Sequence, residues 1–258
     1  MPRYFLRFAY CGASFHGWQR QPDAFSVQQR IEEALAVILR VPVAVTGAGR
    51  TDTGVHASEM YAHFDTPVPI SDRRRFLHSI VHLTAPEISV FELLDVLPGA
   101  HARFDAVSRT YRYYVTHRRS PFTRSLEWFC PSELDYGAMN RAARMLVGTA
   151  DFTSFSKLHT DVKNNICTIS AAEWKPCVQP YAESDGTRRF FFEITANRFL
   201  RNMVRAVVGT LVEVGRGRLS EQGFADVVGA RDRGAAGDSM PAHALFLHRI
   251  VYPPEIFL

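Results

Sequence analysis

The sequence lacks the cysteine and histidine patterns that stabilise small secreted domains or hold metal ions. Its four cysteines are scattered, and none belongs to a C-x-x-C pair, so neither a zinc site nor a redox pair is indicated. The ten histidines show no spacing typical of metal ligands. We therefore expect ordinary buried thiols, a reducing compartment and no metal site.

Long apolar runs and low-complexity stretches are also missing. No run is long enough to span a bilayer, and the residues after Met1 have no signal-peptide pattern. These absences predict a cytoplasmic protein with no membrane partner. Hydrophobic residues make up 47% of the 258 residues, which is enough for a substantial core in one large domain or two smaller ones.

Positive charge slightly exceeds negative charge. The net charge is +4 and the pI is about 9.0, which fits a polyanionic partner without establishing one. Short arginine clusters are more often solvated surface when taken singly, but together they would suit a phosphate backbone. These clusters are Arg73–Arg75, Arg118–Arg119 and Arg188–Arg189.

Strand and helix patterns alternate in two halves of similar rhythm, which predicts the α+β class. Helix starts are indicated at Ser26, Ser71 and Ser220, and Gly215 is a candidate C-cap. The expected halves are residues 1–103 and 104–258. Predicted strands cover 4–10, 43–46, 60–64, 88–96, 107–116, 166–174, 189–195 and 244–252, and predicted helices include 27–39, 136–147 and 199–214.

The most informative loop is the run G-R-T-D-T-G-V-H-A at 49–57, which contains Asp52. Asp-Thr-Gly favours turns, so a turn residue and a functional carboxylate are about equally good interpretations of Asp52 on local chemistry. Arg50 lies two residues before Asp52, and in an extended segment both side chains would point the same way. A guanidinium nearby favours the ionised carboxylate, which suits a nucleophile.

An aspartic protease is a competing interpretation of the Asp-Thr-Gly triplet. Such an enzyme needs two carboxylates that share a proton, and the sequence has one such triplet. A protease would therefore require a symmetric dimer that brings two loops together. Arg50 also argues against proton sharing at Asp52.

Two further segments combine basic or aromatic residues with apolar ones. Arg201 and Arg205 are spaced to share a face of the apolar helix predicted over 199–214, where they would seek an anionic partner or form a solvated stripe. Tyr111 alternates with arginines on a predicted strand. It fits either a core aromatic or a platform for a flipped base.

Several motifs resemble, in the same order along the chain, those of the tRNA pseudouridine synthase A (TruA) family. The run 49–57 is similar to the family's active-site loop. Cys11 departs from the aspartate usual in the family, and residues 241–247 lack a glycine often found there. The other matching runs are Tyr10–Gln21, Ser26–Gln28, Ser108–Tyr113, Asp151–Phe155 and Asn197–Arg205.

The resemblance implies the pseudouridine synthase fold, in which two similar α+β halves share one mostly antiparallel mixed sheet with flanking helices and a central active-site cleft. It implies a homodimer that modifies uridines 38, 39 and 40 in the anticodon stem-loop of tRNA, without cofactor or metal. An alternative is a non-catalytic tRNA-binding protein of the same fold.

The family's functional residues carry over onto matching positions of this chain. Asp52 would be the nucleophile, attacking either C6 of uracil or C1′ of the ribose. Arg205 would pair with Asp52, and Tyr111 would stack on the target base. Arg50 and Arg201 are expected to bind the substrate.

Overall fold

The computed structural model describes residues 1–157, 164–177 and 189–258. These residues contain five α-helices and nine strands, and the strands form a single mixed, mostly antiparallel sheet, as the family resemblance implies. Two units are distinguished, Met1–Arg109 with Leu247–Leu258 as unit 1 and Thr110–Phe246 as unit 2. The division between residues 103 and 104 stays a prediction.

Unit 1 is built around its first strand. β1 pairs antiparallel with β3 on one side and with β4 on the other, and β2 pairs with β3. The strand order is β4-β1-β3-β9. The elements are β1 (Arg3–Tyr10), α1 (Val27–Leu39), β2 (Thr46–Gly47), β3 (His56–Asp65), α2 (Arg73–Thr84), β4 (Ile88–Asp95) and the part of β9 (Leu245–Val251) from Leu247 onward.

The core of unit 1 follows from the apolar periodicity of its elements. Phe5 and Phe8 on β1 are completely buried. On α1, Val27, Ile31 and Leu35 recur every four residues and are also completely buried. The predicted start of α1 is confirmed, because the Ser26 side chain accepts a hydrogen bond from the N–H of Gln29 at 3.2 Å.

Unit 2 surrounds a largely buried helix. Its strand order is β5-β8-β7, and the short β6 runs parallel to β5. Eleven of the thirteen residues of α4 are buried, so this helix is the centre of the core. The elements are β5 (Ser108–Thr116, from Thr110 onward), β6 (Trp128–Phe129), α3 (Tyr136–Arg144), β7 (Ile169–Pro176), β8 (Arg189–Ala196), α4 (Met203–Gly215) and α5 (Glu221–Ala230).

Several predicted boundaries are wrong by a few residues. The strand expected over 43–46 forms only at Thr46–Gly47. Asp72, rather than Ser71, caps α2 by accepting a hydrogen bond from the N–H of Arg75 at 2.9 Å. Gly215 lies inside α4, and the positive φ of 70° that ends the helix occurs at Gly217.

The thiols are only partly as expected. Cys130 and Cys167 are buried, and burial raises the pKa of Cys167 to about 11. Cys177 is half-buried. Cys11 is exposed, so the prediction of ordinary buried thiols is wrong for that residue.

A buried histidine in unit 1 makes folding sensitive to acid. The Nδ1 atom of His63 accepts the N–H of Ala102 at 3.1 Å, which requires an unprotonated Nδ1. Burial, with repulsion from Arg3 and His101, lowers the pKa of His63 from 6.5 to about 4, although Asp65 and Asp105 oppose the shift.

As the pH falls, His63 takes up a proton in the unfolded chain before it does so in the folded protein. The stabilising effect of neutral His63 is therefore complete above pH 6.5 and is lost as the pH falls towards about 4. The variant His63→Gln keeps an acceptor that does not titrate. Thermal unfolding should show the wild type losing stability relative to His63→Gln across this range. Parallel curves for the two proteins would contradict the assignment.

Candidate active site

The Asp52 loop connects β2 to β3 in unit 1. Asp52 is half-buried, and its main-chain carbonyl accepts the N–H of Val55 at 3.1 Å. Gly54, at the third position of this turn, has a φ of 78°, a conformation that glycine adopts without strain. The turn interpretation is therefore correct for the backbone. It does not compete with the functional interpretation, because the main chain closes the turn.

The residue before Asp52 is held by a neighbouring segment of unit 1. The Thr51 hydroxyl is 2.8 Å from the hydroxyl of Tyr10, and the Thr51 carbonyl accepts the N–H of Trp18 at 3.3 Å. A Cβ atom added to Gly17 would lie 2.5 Å from that carbonyl oxygen. The loop and the segment before α1 therefore pack with no room for a side chain at position 17.

The residues after Asp52 are held in a similar way. A Cβ on Gly12 would lie 2.1 Å from the Val55 carbonyl oxygen. The N–H of Gly12 donates to Nδ1 of the buried His56 at 3.0 Å. Both sides of Asp52 are thus fixed by contacts to residues 10–18, which defines where the Asp52 backbone lies.

Arg50 occupies the surface of the same loop. Its side chain is exposed. Asp52, by contrast, is half-buried. The two residues therefore differ in exposure although they are only two positions apart.

Tyr111 lies on β5 in unit 2. It is half-buried, and its ring packs edge-on against Phe199 with a centroid distance of 5.0 Å. Tyr113, two residues further on, is completely buried, and its hydroxyl has no hydrogen-bond partner among the described residues. Burial raises the pKa of Tyr113, which keeps it a neutral phenol. Tyr113 is therefore a core aromatic, whereas Tyr111 is only half-buried.

The two arginines predicted to share a helix face are in different local structures. Asn202 adopts a left-handed conformation with φ of 66°, so α4 begins only at Met203. Arg201 is exposed in the preceding turn, and the shared-face prediction is wrong. Arg205 lies in the first turn of α4, half-buried, and its Nε donates to the Met240 carbonyl at 2.6 Å.

Comparison with known proteins decides the family. Residues 142–253 match the family model described as tRNA pseudouridine synthase. Proteins named tRNA pseudouridine synthase A from Parabacteroides distasonis and Porphyromonas gingivalis are 52% and 50% identical over all of this chain and 98% and 100% of their own. One from Bacillus pumilus is 39% identical over 95% of this chain and 96% of its own. The chain belongs to the tRNA pseudouridine synthase A family.

The family's Asp-Phe-x-Ser-Phe loop is a structural element of unit 2 in this member. Phe152 and Phe155 are completely buried, as expected for a structured loop. The Ser154 hydroxyl donates to the Val227 carbonyl at 2.6 Å and accepts the N–H of Asp232 at 3.1 Å. The loop therefore ties α5 and the residues after it to the core of unit 2.

The arginine clusters of this tRNA pseudouridine synthase A family member differ in their surroundings. Arg73 pairs with Asp95, and Arg189 pairs at 3.2 Å with Glu127, which is 4% exposed. Arg188 lies outside the described residues. The arginines that are exposed are Arg73, Arg74, Arg75, Arg118 and Arg119.

Neither a metal centre nor a membrane-spanning helix is found in the described ranges of this family member. Within residues 1–157, 164–177 and 189–258, no group of three or more His, Cys, Asp and Glu side chains could hold a metal ion. No helix in those ranges is long and apolar enough to cross a bilayer.

Sequence reasoning missed the residues that support the predicted site in this family member. Gly12 and Gly17 were predicted to lie in a polar loop and Trp18 only in a matching motif, and none of the three was expected to hold the Asp52 loop. Met240, which accepts from Arg205, carries no recognisable pattern because its main-chain carbonyl makes the contact.

Proposed function

We propose that this chain isomerises uridine to pseudouridine at positions 38, 39 and 40 of the tRNA anticodon stem-loop, with Asp52 as the nucleophile. Membership of the tRNA pseudouridine synthase A family makes it an isomerase that forms pseudouridine in tRNA. The observation that most supports the role of Asp52 is the fixing of its loop on both sides by residues 10–18. A nucleophile needs this positional definition, because misplacement of about 1 Å can cost about a hundredfold in rate.

The proposed reaction moves one bond. Asp52 attacks the target nucleoside at C6 of uracil or at C1′ of the ribose, and the bond between N1 and C1′ breaks. The base turns in the pocket, C5 bonds to C1′, and the bond between Asp52 and the nucleoside breaks, which regenerates the carboxylate. The proton on C5 leaves while N1 gains one. Atoms and electrons balance without an oxidant or reductant, so we expect no cofactor.

Tyr111 and Arg205 are proposed to act on the same nucleotide. Tyr111 is only half-buried, which is compatible with stacking on the target base, a common device of enzymes that modify a base outside the helix. Arg205 is proposed to pair with Asp52 and keep it ionised. The bond from Arg205 to the Met240 carbonyl limits the orientations of its guanidinium.

Substrate binding is proposed to use the exposed arginines. Turning a nucleotide out of the stack costs a few kcal/mol, which contacts between arginine and phosphate can supply. Arg50 and Arg201 are both exposed and suit this role. We further propose a cytoplasmic homodimer.

The positions in tRNA can be tested with labelled transcripts. In pseudouridine, C5 carries the new glycosidic bond in place of its hydrogen, so tritium at C5 of uridine is released as the product forms. Transcripts with labelled uridine at only one of positions 38, 39 or 40 should each release tritium. A transcript with labelled uridine elsewhere and cytidine at all three positions should release none.

Two outcomes would contradict the proposal. Release from the transcript with cytidine at 38, 39 and 40 would show that the enzyme acts elsewhere. Tight binding of tRNA with no release from any transcript would favour the alternative, a non-catalytic tRNA-binding protein. That alternative gives no reason for a carboxylate in a loop as closely held as that of Asp52.

A further inference from the structure

A loop of unit 2 contacts Arg205 through its main chain. Residues 236–240, here called the 236–240 loop, follow a short 3-10 turn at 233–235. Met240 accepts from Nε of Arg205 at 2.6 Å and donates its own N–H to the Arg205 carbonyl at 3.1 Å. The position of the Arg205 guanidinium therefore depends on where this loop lies.

Arg233 holds the 236–240 loop in shape. One guanidinium nitrogen, Nη1, donates to the carbonyls of Ala236 at 3.3 Å and Gly237 at 3.2 Å. The other, Nη2, donates to the Ser239 hydroxyl oxygen at 3.0 Å. The planar guanidinium thus joins three points of the loop, which a single lysine ammonium would not do in the same geometry.

The loop is also seated directly on α4. The Asn202 side chain, just before the helix, donates to the Ser239 hydroxyl oxygen at 2.5 Å. The N–H of Gly237 donates to the Thr210 hydroxyl oxygen at 2.9 Å. A Cβ on Gly209 would lie 1.8 Å from the Asp238 carbonyl oxygen. Close packing and hydrogen bonds to both ends of the loop give it one position relative to Arg205.

We propose that Arg233 is a positioning residue for Arg205, acting through the 236–240 loop. This inference builds on the proposed catalytic role of Arg205. In this arrangement Arg233 fixes the loop, the Met240 carbonyl holds Nε of Arg205, and the guanidinium of Arg205 is thereby oriented towards its partner. Arg233 itself is not proposed to touch the tRNA.

Single-turnover tritium release at saturating enzyme, together with tRNA affinity, tests the proposal. Arg233→Gln and Arg233→Lys should both lower the rate constant about tenfold to a hundredfold, while the affinity for tRNA stays near that of the wild type. Failure of lysine to rescue the rate separates positioning from a charge contact with phosphate. Ser239→Ala removes one of the Arg233 contacts without changing charge, and it should lower the rate in the same direction.

A double-mutant comparison shows whether Arg233 acts through Arg205. Arg205→Lys keeps a positive charge but loses the Nε donor, and it should lower the rate. Adding Arg233→Gln to Arg205→Lys should slow the reaction little further, because lysine lacks the Nε that the 236–240 loop holds through Met240. Arg141→Gln is the matched control. It removes an arginine of the same unit, paired with Glu221 at 2.8 Å, and should leave the rate unchanged.

Each part of the inference can fail separately. A wild-type rate for Arg205→Gln, which removes the charge, would overturn the proposed role of Arg205 itself. A wild-type rate for Arg205→Lys would show that the Nε contact is not needed, and it would overturn the positioning role of Arg233. A slow Arg205→Lys beside wild-type rates for Arg233→Gln and Ser239→Ala would overturn only the positioning role. Another outcome is that Arg233→Gln weakens tRNA binding without changing the rate at saturating enzyme, while Arg233→Lys restores the binding. That result would show that Arg233 contacts phosphate, and it would also overturn the positioning role. Full additivity in the double mutant would contradict action through Arg205.

Discussion

Gly17→Ala is expected to slow pseudouridine formation about a hundredfold or more, although Gly17 is not proposed to contact the substrate. The added Cβ would lie 2.5 Å from the carbonyl oxygen of Thr51 and 3.3 Å from the main-chain carbon of Asp52. Because the first of these contacts is with backbone and is far too short, the Asp52 loop has to move. The φ of 85° at Gly17 adds strain for any residue with a Cβ.

Gly99→Ala is a control that separates the steric clash of a new Cβ from the backbone strain of alanine at positive φ. Gly99 has a φ of 99°, in the same unit, and a Cβ there would meet no atom within 4 Å. Both variants should lose some thermal stability, because alanine is strained at positive φ. Only Gly17→Ala should lower the single-turnover rate of the folded enzyme. Equal rates for Gly17→Ala and the wild type would show that the Asp52 loop is not held by residue 17.

The sequence predicted the fold class and most elements because their patterns are local. Ser26 and Ser220 were identified correctly as helix caps, since a cap bonds to an N–H only a few residues away. The start of α4 was misplaced because apolar residues continue the helical spacing back to Phe199. The left-handed conformation of Asn202, which ends that continuity, is set by contacts such as the one to Ser239.

The candidate site was predictable to the extent that its chemistry lies in short motifs. Asp52 lies in a glycine-containing loop close to an arginine, which made it a candidate. The similarity to the family motif then favoured a functional aspartate over an ordinary turn residue. The supporting contacts were not predictable, because they join residues distant in the sequence. Examples are Gly17 against Thr51 and Arg205 against Met240, where main-chain atoms make the contact and leave no trace in residue type.

Asp52→Asn is expected to have the largest effect of any single substitution in this chain. Asparagine is nearly the same size as aspartate, so the held loop should accept it without rearrangement. Its amide is a far weaker nucleophile than a carboxylate and carries no charge for the proposed pairing with Arg205. Loss of a nucleophile from an enzyme typically costs about 10⁴-fold or more in rate, so turnover should fall below detection.

Asp65→Asn is a suitable control for this substitution. Asp65 is a half-buried carboxylate of the same unit, and it pairs with Arg3 at 2.8 Å at the end of β3. Its replacement removes the same charge and should lower stability by weakening that ion pair. The rate of the folded Asp65→Asn enzyme should remain that of the wild type.

The most direct measurement is tritium release from tRNA labelled at C5 of uridine, made under single-turnover conditions with tRNA binding measured on the same samples. The wild type and Asp65→Asn should release tritium at the same rate. Asp52→Asn and Asp52→Ala should bind tRNA and release none. Release by either Asp52 variant at a rate near that of the wild type would contradict the assignment of Asp52 as the nucleophile.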